Sequence, residues 1–313
     1  MMSSSRGVER RLSIRELSVL FKPGIVASNT LTAITGLILS RANLDRGAAG
    51  ALDPRFFGVG IGVALLVAGA AAVNNGLDHK LDADMARTQG RPTANGRLSP
   101  VAAEVVGAFV SVLGLALLAS LQPLSALLGL AGIFTYIFPY TLWTKRRSPL
   151  SSVVGGVAGA IPPLIGWSAF DPHLGGPALA LFLFLIVWQQ AHVRALALRR
   201  EGEYRKAGLP MAGLGAEGGR GLARRSRVGV LFWIAAAMVP LVAAYPSLSP
   251  AMALPFLALG LGGGAAWFVV GFLSSRPRRS PDPARWGSSM FIASLAQLSL
   301  VFLSLLSLAL ALG

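Results

Sequence analysis

About nine apolar blocks, each long enough to cross a bilayer, constrain what this chain can fold into more than any other feature of its sequence. A helix needs roughly 20 largely apolar residues to span the ~30 Å hydrocarbon core. Blocks of that kind fall at about 24–41, 56–78, 100–119, 121–143, 151–170, 177–199, 226–246, 250–273 and 287–312, with polar stretches between them. Leu, Ala and Gly dominate them, and they lack the short alternating segments of a membrane β-barrel. Irregular backbone facing lipid would leave polar groups unsatisfied, so helices are the natural reading. The chain is 54% hydrophobic and only 13% charged, which excludes a soluble domain of 313 residues. The expectation is an all-α integral membrane protein, with a basic arm over 1–22, expected to be flexible, and a single membrane domain over 23–313.

A net charge of +15 taken alone points to a nucleic-acid partner, but its distribution argues against one. Of the 28 Lys and Arg, only Arg41, Arg46 and Arg55 fall in segments expected outside. The remaining basic residues lie in the amino-terminal arm, in the loops after the second, fourth, sixth and eighth blocks, or at the adjoining span ends. Basic residues concentrate on the cytoplasmic side of membrane proteins, so the amino terminus is expected there and the carboxyl terminus outside. No cleavable signal peptide is expected. The absence of Cys excludes thiolate metal sites and thiol catalysis.

Polar residues interrupt the apolar pattern in three places. The most informative is 74–92, NNGLDHKLDADMARTQGRP, at the end of the second block. Asn74, Asp78 and Asp82 recur every four residues and so share one helical face, stacked along ~12 Å. Such a ladder of oxygens suits a hard divalent cation such as Mg²⁺, which takes a few carboxylates, waters and a substrate's phosphate oxygens. The plainer alternative is a solvated helix end whose carboxylates pair with Lys80 and Arg87. Asp84 is offset from the ladder and reads as solvated. Arg87, Thr88, Arg91 and Pro92 follow, and the arginines could grip a metal-bound diphosphate or simply add to the inner-side charge.

The second stretch is 188–211, WQQAHVRALALRREGEYRKAGLPM. Gln189, Gln190, His192 and Arg194 interrupt an apolar helix, and an intramembrane polar run suggests a functional site. His192 could be a base, a donor to a ligand's carboxylate, an axial metal ligand, or a satisfied buried histidine. Glu201 and Glu203 form the other close acidic pair on the inner side. The third stretch, 144–167, reads TKRRSPLSSVVGGVAGAIPPLIGW. Lys145, Arg146 and Arg147 serve either topology or a phosphate. Gly155, Gly156, Gly159 and Ala160 allow close helix packing, Pro162-Pro163 should break the span, and Trp167 is expected at the outer interface.

These motifs resemble the UbiA superfamily of intramembrane prenyltransferases. Asn74, Asp78 and Asp82 occupy its NxxxDxxxD segment. The likeness is strongest to the heme-farnesylating branch, the protoheme IX farnesyltransferases. That branch has an NNxxDxxxDxxMxRTxxRP form, filled here by Met85, Arg87, Thr88, Arg91 and Pro92. Its KR…GGxAGAxPPxIGW stretch is met by Lys145, Arg146 and 155–167, its KP step by Lys22-Pro23, and its WQxPH…DYxxAGxPM segment in part by 188–211. There are departures: Ala191 replaces the branch's Pro before His, Val193-Arg194 follow it, Glu203 replaces an Asp before Tyr204, and Ser151 replaces an Asn.

The resemblance implies a helical bundle around a central cavity and transfer of the farnesyl group of farnesyl diphosphate to a vinyl group of heme b. It implies Mg²⁺ held by Asn74, Asp78 and Asp82, a second ion held partly by Glu203, and a diphosphate gripped by Arg87, Arg91, Lys145 and Arg146. Asp78, Asp82 and Lys145 would be catalytic, while His192, Arg194 and Tyr204 would lie on the substrate side, the first two near the porphyrin or its propionates. It further implies an inner (cytoplasmic) membrane location with the site facing the cytoplasm, and delivery of product to a heme-modifying enzyme or terminal-oxidase assembly. The altered third motif keeps a quinone precursor or another aromatic acceptor as an alternative. A transporter or heme-binding assembly protein is the non-enzymatic alternative.

Overall fold

A computed structural model describes residues 12–44, 53–210 and 283–312, with Ala266 alone between the last two. The elements are α1 (Ile14–Phe21), α2 (Pro23–Leu44), α3 (Arg55–Leu77), α4 (His79–Ala83), α5 (Pro100–Leu121), α6 (Pro123–Thr135), α7 (Ser151–Ala160), α8 (Pro162–Phe170), α9 (Gly176–Arg199), α10 (Glu201–Lys206) and α11 (Pro283–Leu312). A π-helical stretch, Tyr136–Thr144, extends α6. Among the described residues, seven spans are long and apolar enough to cross a membrane, and they correspond to seven of the expected blocks. The blocks at 226–246 and 250–273 lie outside the described residues.

Proline punctuates the starts. Pro23 opens α2, and α5, α6, α8 and α9 each carry Pro in the first turn, where the missing N–H costs nothing. Within the fifth span, Pro162-Pro163 cannot donate to the preceding turn, and the helix breaks at Ile161 into α7 and α8 as expected.

The helices pack through small residues that let backbones touch. A Cβ on Gly107 of α5 would lie 2.5 Å from the Gly69 carbonyl oxygen of α3, and one on Gly114 would lie 2.7 Å from that of Gly62. The α2–α8 seam is tighter still: a Cβ on Gly166 would meet the Ala33 carbonyl, and one on Gly36 the Pro163 carbonyl. Helices α9 and α11 run antiparallel, with Trp188 Nε1 donating to the Ser294 carbonyl (3.1 Å) and Phe184 facing Phe302. The outward faces are apolar, as Val101, Val105, Phe109 and Val112 along α5 illustrate. A surface of this kind is suited to lipid, against which van der Waals packing of small residues drives helix association.

Two expectations are corrected. Trp167 is 1% exposed and so does not face lipid as a belt residue, lying within a cluster that includes Leu39, Leu164 and Leu181. The neighbouring Gly166 presses on the α2 backbone and draws the indole inward, and its Nε1 donates to the His173 carbonyl (3.3 Å). The amino-terminal arm is also not flexible throughout. Ser13 and Glu16 form a capping box that starts α1, and Leu20 packs on Ala72 and Ala103.

Candidate active site

Helix α3 ends at Asp78, whose φ of −93° and ψ of 3° interrupt the α geometry before α4. The helical pitch survives this break: the Asp78 N–H donates to the Asn74 carbonyl (3.0 Å) and the Asp82 N–H to the Asp78 carbonyl (2.8 Å). Asn74, Asp78 and Asp82 therefore stay in register, and all three are buried.

Buried carboxylates must be paired or they protonate, and here each has a cation. Lys145 binds Asp78 Oδ2, Arg146 Nη2 lies 3.1 Å from Asp78 Oδ1, and Arg91 Nη1 lies 2.6 Å from Asp82 Oδ2. Asn74 Nδ2 donates to Asp78 Oδ2 (2.8 Å) and to Thr141 Oγ1 (3.3 Å), while its Oδ1 accepts from Lys22 Nζ (2.9 Å). The partners are thus not Lys80 and Arg87, as a solvated helix end would have it. Asp84, by contrast, is exposed.

Burial works to raise the Asp78 carboxyl, but the charge and hydrogen bond of Lys145, joined by Arg146, outweigh it and hold it below the usual range. Desolvation pushes the Lys22 ammonium down to about 7, and the nearby Arg91 and Lys145 charges push the same way. Lys22 as a whole is half-buried, with its ammonium on Asn74 Oδ1.

The π-helical stretch positions Lys145 and Arg146. Pro139 lies within it and cannot donate a backbone hydrogen bond. The Thr141 and Thr144 hydroxyls donate to the carbonyls of Tyr136 and Pro139, both at 2.7 Å, and the Lys145 N–H reaches the Tyr140 carbonyl (2.9 Å). This widened turn sets Thr141 on Asn74 and Lys145 on Asp78, with Tyr136 and Tyr140 stacked at 5.6 Å. Such turns often occur at functional sites.

The other predicted residues gather in two separate places. Arg87 Nε lies 3.8 Å from Glu203 Oε2, and Arg200 Nη1 holds the other Glu203 oxygen at 3.1 Å. Tyr204 is buried with Leu81, Met85, Ala197 and Leu209, which fastens α10 over the α4 segment. His192 faces α11: its ring stacks on Trp188 (4.7 Å) and against Phe291 (4.6 Å), and Nδ1 is 2.7 Å from Ser294 Oγ. The Ser294 hydroxyl also donates to the Phe291 carbonyl (2.6 Å), so His192 Nδ1, Ser294 and the α11 backbone form one short hydrogen-bonded chain. Arg194 is half-buried, without an ion-pair partner among the described residues. Gln189 and Gln190 donate to the Gly156 (3.1 Å) and Ser152 (3.3 Å) carbonyls of α7, so the glycines of the third motif serve close approach.

Sequence reasoning missed Lys22, Asn75, Thr141, Tyr136 and Tyr140. The Lys22-Pro23 step and the Asn74-Asn75 pair were the signals available for the first two.

The donor set fits Mg²⁺. Asn74, Asp78 and Asp82 offer only hard oxygens, and among the described residues no three His, Cys, Asp or Glu converge into a softer or fully protein-made site. The cluster's cations would have to yield those oxygens to the metal and move onto an anion.

A profile of the UbiA prenyltransferase family matches residues 30–295. A protoheme IX farnesyltransferase of Bacillus cereus (strain G9842) is 37% identical over 305 residues, covering 97% of this chain and 95% of that one. The fold resembles two solved structures: a digeranylgeranylglyceryl phosphate synthase (TM-score 0.71, 14% identity, 95% and 99% coverage) and a UbiA homologue from Archaeoglobus fulgidus bound to GPP and Mg²⁺ (TM-score 0.62, 12% identity, 93% and 99% coverage). From the family match and the near full-length relative alike, this chain belongs to the UbiA prenyltransferase family.

Proposed function

We propose that the chain is a Mg²⁺-dependent protoheme IX farnesyltransferase, which joins the farnesyl group of farnesyl diphosphate to a vinyl group of heme b. The observation that carries the reading is the buried Asn74–Asp78–Asp82 ladder ringed by Lys22, Arg91, Lys145 and Arg146. With Lys22 charged, four cations face two carboxylates, and that positive excess suits a diphosphate. The name of the Bacillus cereus relative supports heme as the acceptor.

Asn74, Asp78 and Asp82 would hold Mg²⁺, which when bound would neutralise charge on the leaving diphosphate. Lys145, Arg146 and Arg91 move from the carboxylates onto the diphosphate oxygens and stabilise the charge that builds as the allylic C–O bond breaks. The heme vinyl group supplies the electron pair for the new carbon–carbon bond at that allylic carbon. Water adds to the resulting cation and loses a proton, giving the hydroxyethylfarnesyl side chain. Apolar walls keep water from the allylic carbon until the vinyl group has attacked. Arg87 and Glu203, with Tyr204 packed beneath, close the α4–α10 side, where Glu203 would hold a second ion. Arg194 would meet the porphyrin's propionates, while His192, packed on Trp188 and against Phe291 of α11, would shape the acceptor side of the site. The site opens to the cytoplasm from the inner membrane, and the product passes to a heme-modifying enzyme or terminal-oxidase assembly.

The test is an assay of the purified protein with heme b, farnesyl diphosphate and Mg²⁺, read by mass spectrometry. Heme carrying the added hydroxyethylfarnesyl group is the expected product. Consumption of farnesyl diphosphate only when a quinone precursor or another aromatic replaces heme would retain the prenyl transfer and discard the heme acceptor.

A further inference from the structure

We propose that Lys22 is a diphosphate-binding residue, carried into the site by α1 and held there by Asn75. The inference rests on the diphosphate reading given above. Lys22 is the one non-glycine residue with positive φ among the described residues, at φ 50° and ψ 62°. It closes α1 in the left-handed cap conformation usually filled by glycine or asparagine, and Pro23 starts α2 immediately after it. The chain therefore turns sharply at a lysine, and the turn sends the ammonium to Asn74 Oδ1 at 2.9 Å.

The clamp on this turn is Asn75, which is 1% exposed. Its Nδ2 donates to the Leu20 (2.8 Å) and Val19 (3.4 Å) carbonyls, two of the acceptors that a helix end leaves open. Its Oδ1 accepts from Arg91 Nη1 at 3.0 Å, and Thr93 Oγ1 donates to its backbone carbonyl at 3.0 Å. One side chain thus fixes both the end of α1 and the arginine that holds Asp82. At the other end of α1, Glu16 pairs with Arg97 beyond the Arg91 turn. Helix α1 is fastened at both ends to the segment that carries the ladder.

Lys22 also differs from the other cations of the cluster in its partner. Lys145, Arg146 and Arg91 sit on carboxylates, whereas Lys22 rests on a neutral amide oxygen. A neutral acceptor holds a cation less strongly than a carboxylate does. Its ammonium is accordingly the cation most easily transferred to an incoming anion. Asn74 Oδ1 is released in the same movement, and that oxygen belongs to the metal ladder. Arrival of the diphosphate at Lys22 and completion of the metal site are then one event.

The experiment measures Mg²⁺-dependent binding of inorganic pyrophosphate to the purified full-length protein by calorimetry, with KM and kcat for farnesyl diphosphate beside it. Lys22→Gln should weaken pyrophosphate binding by about 10–150-fold, the range of one charge-assisted hydrogen bond, and raise KM in parallel. Lys22→Gly, which keeps the left-handed turn without strain, should show the same loss, and Lys22→Arg should recover most of the affinity. A thermal midpoint unchanged in Lys22→Gly separates the lost charge from a lost turn. Wild-type affinity in both Lys22→Gln and Lys22→Gly would overturn the assignment while leaving the diphosphate reading intact. Failure of the wild-type protein to bind Mg²⁺-pyrophosphate would remove that reading, and this inference with it.

Discussion

Asp78→Asn is expected to lower turnover by about 10³-fold while leaving the protein folded, since removal of a preorganised charge from a transition-state site costs this much. The substitution keeps the shape of the side chain and removes its charge. Asp78 is the most connected member of the ladder: Asn74, Lys145 and Arg146 all bond to its carboxylate. Its loss acts twice. The proposed metal ladder loses a carboxylate, and Lys145 and Arg146 lose the anion that positions them. Lys145 would remain largely buried beside a neutral amide, and truncating one partner of a buried pair also destabilises the fold. The activity loss must therefore be read beside a thermal unfolding curve. Turnover that falls by this factor while the unfolding midpoint stays above the assay temperature identifies chemistry, whereas activity within about tenfold of wild type would put the reaction elsewhere.

Gly166→Ala is expected to be the most damaging single methyl among the described seams, at a cost of about 3 kcal/mol, the upper end of typical overpacking. The added Cβ would meet the Ala33 carbonyl of α2, a backbone atom that cannot rotate away. Relief requires α2 and α8 to separate, and their seam also holds Gly36 against Pro163. Gly176→Ala is the matched control, since nothing lies within 4 Å of the Cβ it would add. Thermal midpoints in detergent check the pair. Equal midpoints for the two variants would contradict the close α2–α8 approach.

The seven described spans were legible because lipid imposes one requirement, a run of about 20 apolar residues. The Asn74–Asp78–Asp82 ladder was legible because four-residue spacing survives even the break at Asp78. Its partners were not. Lys145 and Arg146 lie 67 and 68 residues from Asp78, and Lys22 lies 52 from Asn74. No periodicity links positions so far apart, and the charges looked the same as those that set topology. The π-helical widening at Tyr136–Thr144 arises from how Pro139 and two threonine hydroxyls share carbonyls, which an apolar pattern does not record. Trp167 was misplaced because an aromatic near a span end suggests an interface, while the packing of Gly166 against α2 decided otherwise. His192 was singled out for the right reason, a polar break in an apolar helix, but its Nδ1 partner Ser294 comes from α11, about 100 residues on.

The central claim is that Asn74, Asp78 and Asp82 hold a divalent ion against a diphosphate, and electron–nuclear double resonance with Mn²⁺ in place of Mg²⁺ tests it most directly. With farnesyl diphosphate bound, the account predicts a protein-bound Mn²⁺ coupled to phosphorus in the wild-type protein and no such coupling in Asp78→Asn. Phosphorus-coupled Mn²⁺ that persists unchanged in Asp78→Asn, or its absence from the wild type, would contradict the account.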